Sequence, residues 1–457
     1  MKSIVGYFKI NERGSSVKIE ILAGITTFMT MSYIIFLQPL ILSGTLAKSP
    51  TGMDIEALTV GVCLAAALGS IFMGLLANYP IALAPGMGEN FFFVSLVGAC
   101  ASMGIATPQT AWQTALGVVF LSGGIFLIIS FLNIRGAIIN AISPSLRHAI
   151  AAGIGLFIAL LGLKNGQVIK DINGTMILNT NIFTTLSGMV FFSALIVTSI
   201  FYVMKIRGAV LFGIMTGTIV AVFTGSVHSD GFFAIPPSVG PIFAKMDLHS
   251  VFSNMIKLLP FIIIFTFMDV FDTLGTLVGV GTQAGLMKNG QLPNQKRAFA
   301  ADSLATLAGV FLGQSTVTSY IESSTGVKSG GRTGLTALIV AICFIIAVFF
   351  TPVIKMIANF APITAPALLF VGALMMSSAK HIDWDDAGEA LPAFLILAGI
   401  PFTSSIADGL MLGLIFYPIV NVFSSKRKNI GWLTYFLAVV MLVYLLFVRT
   451  GIMEKIL

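Results

Sequence analysis

The chain has 457 residues, of which 57% are hydrophobic and 9% charged, and its mean hydropathy is +0.99. Soluble domains carry about 25% charged residues, so this composition excludes one and implies a polytopic helical membrane protein. The net charge of +7 does not imply nucleic-acid binding, because Lys and Arg sit singly or in short clusters between apolar runs and form no basic face.

The N-terminus, MKSIVGYFKINERGSSVKIE, is polar and enters an apolar run without a small-residue cleavage site, so it is not expected to be a signal peptide. About 20 apolar residues are needed to span a bilayer. The first spans are predicted at 20–43 and 57–79. In the next stretch, LANYPIALAPGMGENFFFVSLVGACASMG, Pro80, Pro85, Gly86 and Gly88 interrupt the apolar pattern. A short extended piece near 81–85 and a half-helix from about Gly88 are expected there. Spans at 110–132, 146–163, 183–205 and 207–226 complete a set of seven.

After a polar connection, VHSDGFFAIPPSVGPIFAKMD, an amphipathic piece near 247–257 is expected along the membrane surface. Further spans follow at 259–285, 298–312, a broken 313–330, 333–357 and 361–379. Pro401, Thr403, Ser404 and Ser405 interrupt 389–424, which reads as two short spans or one bent hairpin, and 431–449 adds a last span. The total is fourteen, give or take one. With the N-terminus in the cytoplasm, the inner segments hold most of the 25 Lys and Arg, among them Lys9, Arg13, Arg135, Arg147, Lys288, Lys380, Lys426, Arg427 and Lys428.

Two sets of seven with a broken span third in each are what an inverted repeat would show, since an odd number of spans turns the second copy upside down. Paired Gly/Pro-interrupted segments at corresponding positions point to a transporter site. Here they are 80–93 and 313–326, and the repeats are placed at 1–230 and 245–457. TFMT at 27–30 and TFMD at 266–269 form a faint echo between the first and eighth spans.

The stretch GQSTVTSYIESSTGVKSGGRTG, 313–334, places Glu322 at membrane depth, where a charge is costly and commonly marks a substrate or ion pathway. Its hydroxyls and Gly313 and Gly326 describe irregular backbone, tolerated at that depth only beside a buried cavity. In FTFMDVFDTLGTLVGVGTQ, Asp269 and Asp272 are three apart and share a helix face, with Thr266 and Thr273 near it. Gly275, Gly279 and Gly281 would let another backbone approach. The alternative is a structural ion pair with a Lys or Arg of another span. Asn90 sits where the half-helix begins and free N–H groups gather, Glu89 either binds ligand or caps that helix, and Phe91, Phe92 and Phe93 offer faces for stacking. Carboxylates, a carboxamide and hydroxyls without a cation suit a neutral, planar, donor-rich ligand. Burial and a like-charged neighbour both favour the protonated carboxyl, which is the logic of proton symport, although sodium binds oxygen as well.

No GxxxxGK[ST] loop is present, so ATP drive within the chain is not expected. Cys63, Cys100 and Cys343 lie alone in apolar segments and read as core residues. His148, His228, His249 and His381 lack metal-ligand spacing, so neither a metal nor a cofactor is expected, and no nucleophile–base spacing suggests an enzyme. The acids of HIDWDDAGEALP, 381–392, read as a solvated loop.

The motifs ILAGITTFMTMSYIIFLQP, APGMGENFFF, FMDVFDTLGTLVGV and TSYIESSTGVKSGGRTGLTAL, in this order over nearly the whole chain, resemble the AzgA-like purine permeases of the nucleobase-ascorbate (xanthine-uracil permease) superfamily. The resemblance implies fourteen spans in two inverted seven-span repeats, core and gate domains, short strands in the third and tenth spans, and elevator-like import of adenine, guanine or hypoxanthine by a cell-membrane protein, often a homodimer. It also implies that Asn90, Asp269, Asp272 and Glu322 bind and couple, with Asp269 mainly on substrate and Asp272 on coupling; from the residues alone, Phe91 and Ser319 are added as candidates for contact with the ligand. Glu89 departs from the usual APGMGLN pattern. The competing reading is an anion exchanger or channel on the same repeat, which should place a basic residue near the half-helix ends.

Overall fold

The computed structural model describes residues 2–132, 142–172, 175–228, 231–287, 292–423 and 430–446. Arg135, Lys288, Lys426, Arg427 and Lys428, all assigned above to inner segments, lie outside them. The described chain is helical apart from two short antiparallel strand pairs.

Helix α1 (Lys2–Phe8) precedes α2 (Val17–Met31), which the Ser16 hydroxyl caps by accepting from Ile19 N–H. The first span breaks at Ser32 and Tyr33 and resumes as α3 (Ile34–Leu42). Asp54 caps α4 (Ile55–Phe72), which ends in one wide turn at Asn78, in the left-handed region with φ 56°. The third span is strand β1 (Leu83–Pro85) followed by α5 (Met87–Ser102), then comes α6 (Ala111–Phe131). Helices α7 (Pro144–Asn165), α8 (Leu186–Val203) and α9 (Ala209–Phe223) follow, with the exposed hairpin of β2 (Ile169–Ile172) and β3 (Thr175–Leu178) after α7.

The expected surface piece is a short helix, α10 (Leu248–Ser253), capped by Asp247. Helix α11 (Met255–Gln283) starts right after it, earlier than predicted. Next are α12 (Gln295–Phe311), strand β4 (Val317–Ser319) with the short α13 (Ser323–Lys328), then α14 (Gly334–Ala347), α15 (Thr351–Ala358) and α16 (Ala361–Met376). The open stretch 389–424 resolves into α17 (Ala387–Thr403) and α18 (Ile406–Val422), parted at Ser404 (φ 53°), with Ser405 capping α18. Helix α19 (Trp432–Tyr444) is last. Among the described residues, eight helical segments are long and apolar enough to cross a membrane by themselves; the broken spans fall short because their backbone is not one helix.

The helices pack in two groups. One gathers α2 to α6 and α11 to α15 around the strand pair β1–β4; the other packs α7 against α16 and α17, with α8, α9 and α18. The α7–α16 crossing is close because it is made by glycines: a Cβ on Gly155 would lie 2.7 Å from the Gly372 carbonyl oxygen, and one on Gly372 would collide with that of Gly155.

Two sequence expectations are corrected here. Glu389 does not belong to a solvated loop: it lies in the first turn of α17, 7% exposed, and accepts from Ser143 Oγ (2.6 Å) and Tyr417 Oη (2.9 Å). Gly275 and Gly281 do not meet another backbone. Gly275 faces open space, and Gly281 lies under the Leu292 side chain.

Replacing Gly155 or Gly372 with Val should force α7 and α16 apart and destabilise the fold by about 1–3 kcal/mol. Gly98, whose Cβ position meets no described atom within 4 Å beyond its own helical backbone, should tolerate the same change. Thermal melts of the detergent-purified variants check this, and an unaltered melt for Gly372→Val would contradict it.

Candidate functional site

The site is built on the pairing of the two broken spans. Strands β1 and β4 run antiparallel, with Leu83 opposite Ser319, Ala84 opposite Thr318 and Pro85 opposite Val317. The pairing extends through Gly86 N–H to the Thr316 carbonyl and Tyr320 N–H to that of Ala82, each 3.0 Å. A sheet edge inside a membrane needs partners, since no water reaches it. Ser70 of α4 accepts from Leu83 N–H at 3.1 Å, and Thr306 of α12 both accepts from Val317 N–H and donates to its carbonyl at 3.1 Å. Tyr320 Oη donates to the Pro85 carbonyl at 2.6 Å, tying the half-helix α5 to the tenth span.

Five carboxyls face this pair. Asp269 of α11 is fully buried; its Oδ2 accepts from Thr306 Oγ1 at 3.2 Å and its Oδ1 has no partner among the described residues. Asp302 of α12 is also fully buried and accepts from Thr273 Oγ1 (2.8 Å) and Ser319 Oγ (2.7 Å). Thr273 in turn bonds Thr318 on β4 at 3.1 Å. Glu89, 4% exposed, folds its carboxyl back over Gly86, where a Cβ would collide with Oε2. Asp272 is exposed, bonded by Thr318 and within electrostatic reach of Glu322. Glu322 is half-buried at the start of α13, and Tyr33, at the break in the first span, donates to its Oε1 at 2.6 Å. Among the described residues no Lys or Arg is ion-paired to any of the five.

The predicted residues therefore converge, but unequally. Asp272 and Glu322 open onto accessible space whereas Asp269 is sealed in, so exposure runs against the division that put Asp269 mainly on substrate. Asn90 is fully buried and already committed, in a reciprocal amide pair with Gln38 and accepting from Ser315 Oγ. Gln38 also donates to Gln314 Oε1 at 3.1 Å. Ser319 is held by Asp302. Phe91, 3% exposed, meets Phe157 of α7 edge-on at 5.5 Å, and Phe92 packs on Phe261 and Phe265, so neither presents a free face. Thr266 donates along its own helix to the Ile262 carbonyl and takes no part.

Sequence reasoning missed Asp302, Tyr33 and Gln38. Asp302 carried the signal used for Glu322, an acid inside an apolar span. The same signal would have flagged Glu20, which is fully buried in a structural place: its carboxylate accepts from Arg332 N–H, Thr333 N–H and Thr336 Oγ1 and so caps α14 from across the fold. Only tertiary contacts separate the two cases. From the second helix group, Arg147 of α7 sits over the Phe271 ring at 5.5 Å, and His148 beside it meets the His381 ring at 5.0 Å.

Residues 18–412 match the model of the permease family. The guanine/hypoxanthine permease PbuG of Bacillus subtilis is 41% identical over 97% of this chain and 99% of its own. The adenine permease AdeQ of Escherichia coli is 40% identical over 93% and 92%. Among solved structures, the transmembrane domain of the cyanobacterial bicarbonate transporter BicA superposes with a TM-score of 0.63 at 14% identity, covering 87% of this chain and 97% of that one. The likeness to BicA shows the fold, the inverted-repeat transporter architecture expected from the paired broken spans. By family match and by its curated relatives, the chain is a multi-pass membrane transporter of the permease family and not an enzyme.

Proposed function

We propose that this permease imports purine nucleobases, hypoxanthine, guanine or adenine, across the cell membrane by proton symport, with its N-terminus in the cytoplasm. The observation that carries the reading is the convergence of five carboxyls on one strand pair with two of them, Asp272 and Glu322, accessible. A purine presents ring N–H and amino donors, and ionised carboxylates are the strongest acceptors for them. An anion would meet only like charge. That the similar chains PbuG and AdeQ are named a guanine/hypoxanthine permease and an adenine permease agrees with this chemistry.

In this reading Asp272 and Glu322 hold the base. Tyr33 orients Glu322 by occupying one of its oxygens, which aims the other at the ligand. Asp269 and Asp302, enclosed behind the strands, form the coupling layer, and Asp269 with its unpartnered Oδ1 takes the proton. Isolated buried charge is strongly disfavoured, so a proton on Asp269 offsets the charge of its neighbours. Thr273 bonds both Asp302 and Thr318 of β4, and Ser319 of the same strand bonds Asp302, so a change at the buried pair is felt at the strand under the ligand-facing acids. The helix group that carries the strands serves as the moving core and the α7–α18 group as the gate, because the whole pocket floor belongs to the first.

Glu322→Gln and Asp272→Asn should each lower uptake of labelled hypoxanthine in purine-auxotrophic cells by about 10- to 100-fold, the loss of one charge-assisted hydrogen bond of roughly 1.5–3 kcal/mol. Uptake that survives Glu322→Ala at the wild-type rate refutes the site. Asp269→Asn in proteoliposomes should keep base counterflow yet lose accumulation driven by an inward proton gradient; gradient-driven accumulation at the wild-type level would remove Asp269 from coupling. Tyr33→Phe should raise KM several-fold with little change in maximal rate, and an unchanged KM for all three bases would argue against its positioning of Glu322.

A further inference from the structure

The connection between the two halves does not have the polar exterior its flanks suggest. Phe232 and Phe233 are each 69% exposed and Ile235 is 91% exposed. Three large apolar side chains standing together in water would form the kind of patch that marks an interaction surface. The segment is also fastened at a definite place: Ala234 N–H donates to the Phe349 carbonyl at 3.1 Å, and the Phe233 ring meets that of Phe350 at 4.5 Å. Phe349 lies fifteen residues beyond the start of α14. At about 1.5 Å per residue that is roughly 22 Å along the span, short of the hydrocarbon thickness of about 30 Å.

The connection therefore reaches the end of α14 at the depth of lipid. The face of α14 leading to it, Ile342, Ile345 and Ile346, is about half exposed and wholly apolar, as a lipid-facing surface must be. Between them runs a groove of about 520 Å³, with Phe233, Ile235 and Pro236 on one side and Ile346, Phe349 and Phe350 on the other. Beyond it the water boundary is marked by the exposed ion pair of Lys355 with Glu56 at 2.6 Å.

We propose that this groove seats an acyl chain of a phospholipid, in the leaflet on the Lys355–Glu56 side, and that residues 232–236 anchor the inter-repeat connection in that leaflet. The occupant is a lipid because the groove continues the bilayer-facing side of a membrane span without a break and offers no polar side chain to any other ligand. The anchor does not depend on which solute the permease carries. It fixes the point where the first half of the chain hands over to the second, against a helix of the strand-bearing group.

The full-length Ile235→Trp variant, reconstituted in phosphatidylcholine liposomes, tests this through the fluorescence it adds to that of the three native Trp. Lipids brominated along the acyl chain should quench the added signal more strongly than aqueous iodide. Phe232→Trp, at a second exposed position, should show the same order. Stronger quenching by iodide would make the segment an aqueous loop, and quenching by neither would mean that protein, such as a second copy of the chain, covers it; either result overturns the proposal.

Discussion

Everything at the centre of this transporter depends on a backbone pairing only three residues long. Two chain segments that enter the membrane from opposite ends of the sequence cannot remain extended in lipid unless their N–H and C=O groups are met. Leu83–Pro85 and Val317–Ser319 meet each other on one side. On the outer sides Ser70 and Thr306 replace the missing strands. Short polar side chains from the packed helices thus do what a wider sheet does in a soluble protein, and they free the half-helix α5 and the short α13 to start in the middle of the bilayer.

The chemistry is layered on that pairing. The side chains that close the strand edge also touch the acids: Thr306 serves both Val317 and Asp269, and Thr273 links Asp302 to Thr318. Backbone order and carboxyl placement are therefore one network, in which a buried polar group is tolerable because nearly every member has a partner. Among the described residues Asp269 Oδ1 and, on the strand extension, Thr316 Oγ1 are the exceptions, and of the two only Asp269 is ionisable. The network also separates the acids by exposure, leaving Asp272 and Glu322 accessible while Asp269 and Asp302 are closed off.

The second helix group supplies none of the five carboxyls and borders the group that does. Phe157 covers Phe91, and Arg147 reaches Phe271, the neighbour of Asp272. The group's own cohesion comes from glycine-mediated crossings such as Gly155 with Gly372 and from a second buried acid set, Glu389 with Ser143 and Tyr417.

The sequence by itself determined the membrane class, because 457 residues with 9% charge leave few alternatives, and it located both broken spans, because Gly and Pro in an apolar run have a direct backbone meaning. It also singled out Glu322, Asp269 and Asp272, since an acid at lipid depth is rare enough to signal function. Tertiary structure alone decided which of these acids are accessible. Helix periodicity puts Asp269 and Asp272 on one face, yet packing by α12 buries the first and leaves the second open. It alone showed Asn90 and Phe91 to be committed to Gln38, Ser315 and Phe157. It also told Asp302, turned toward the strands, from Glu20, which caps a helix. These distinctions lie in tertiary contacts, from Ser319 with Asp302, 17 positions apart, to Tyr33 with Glu322, 289 apart, and no local pattern encodes them.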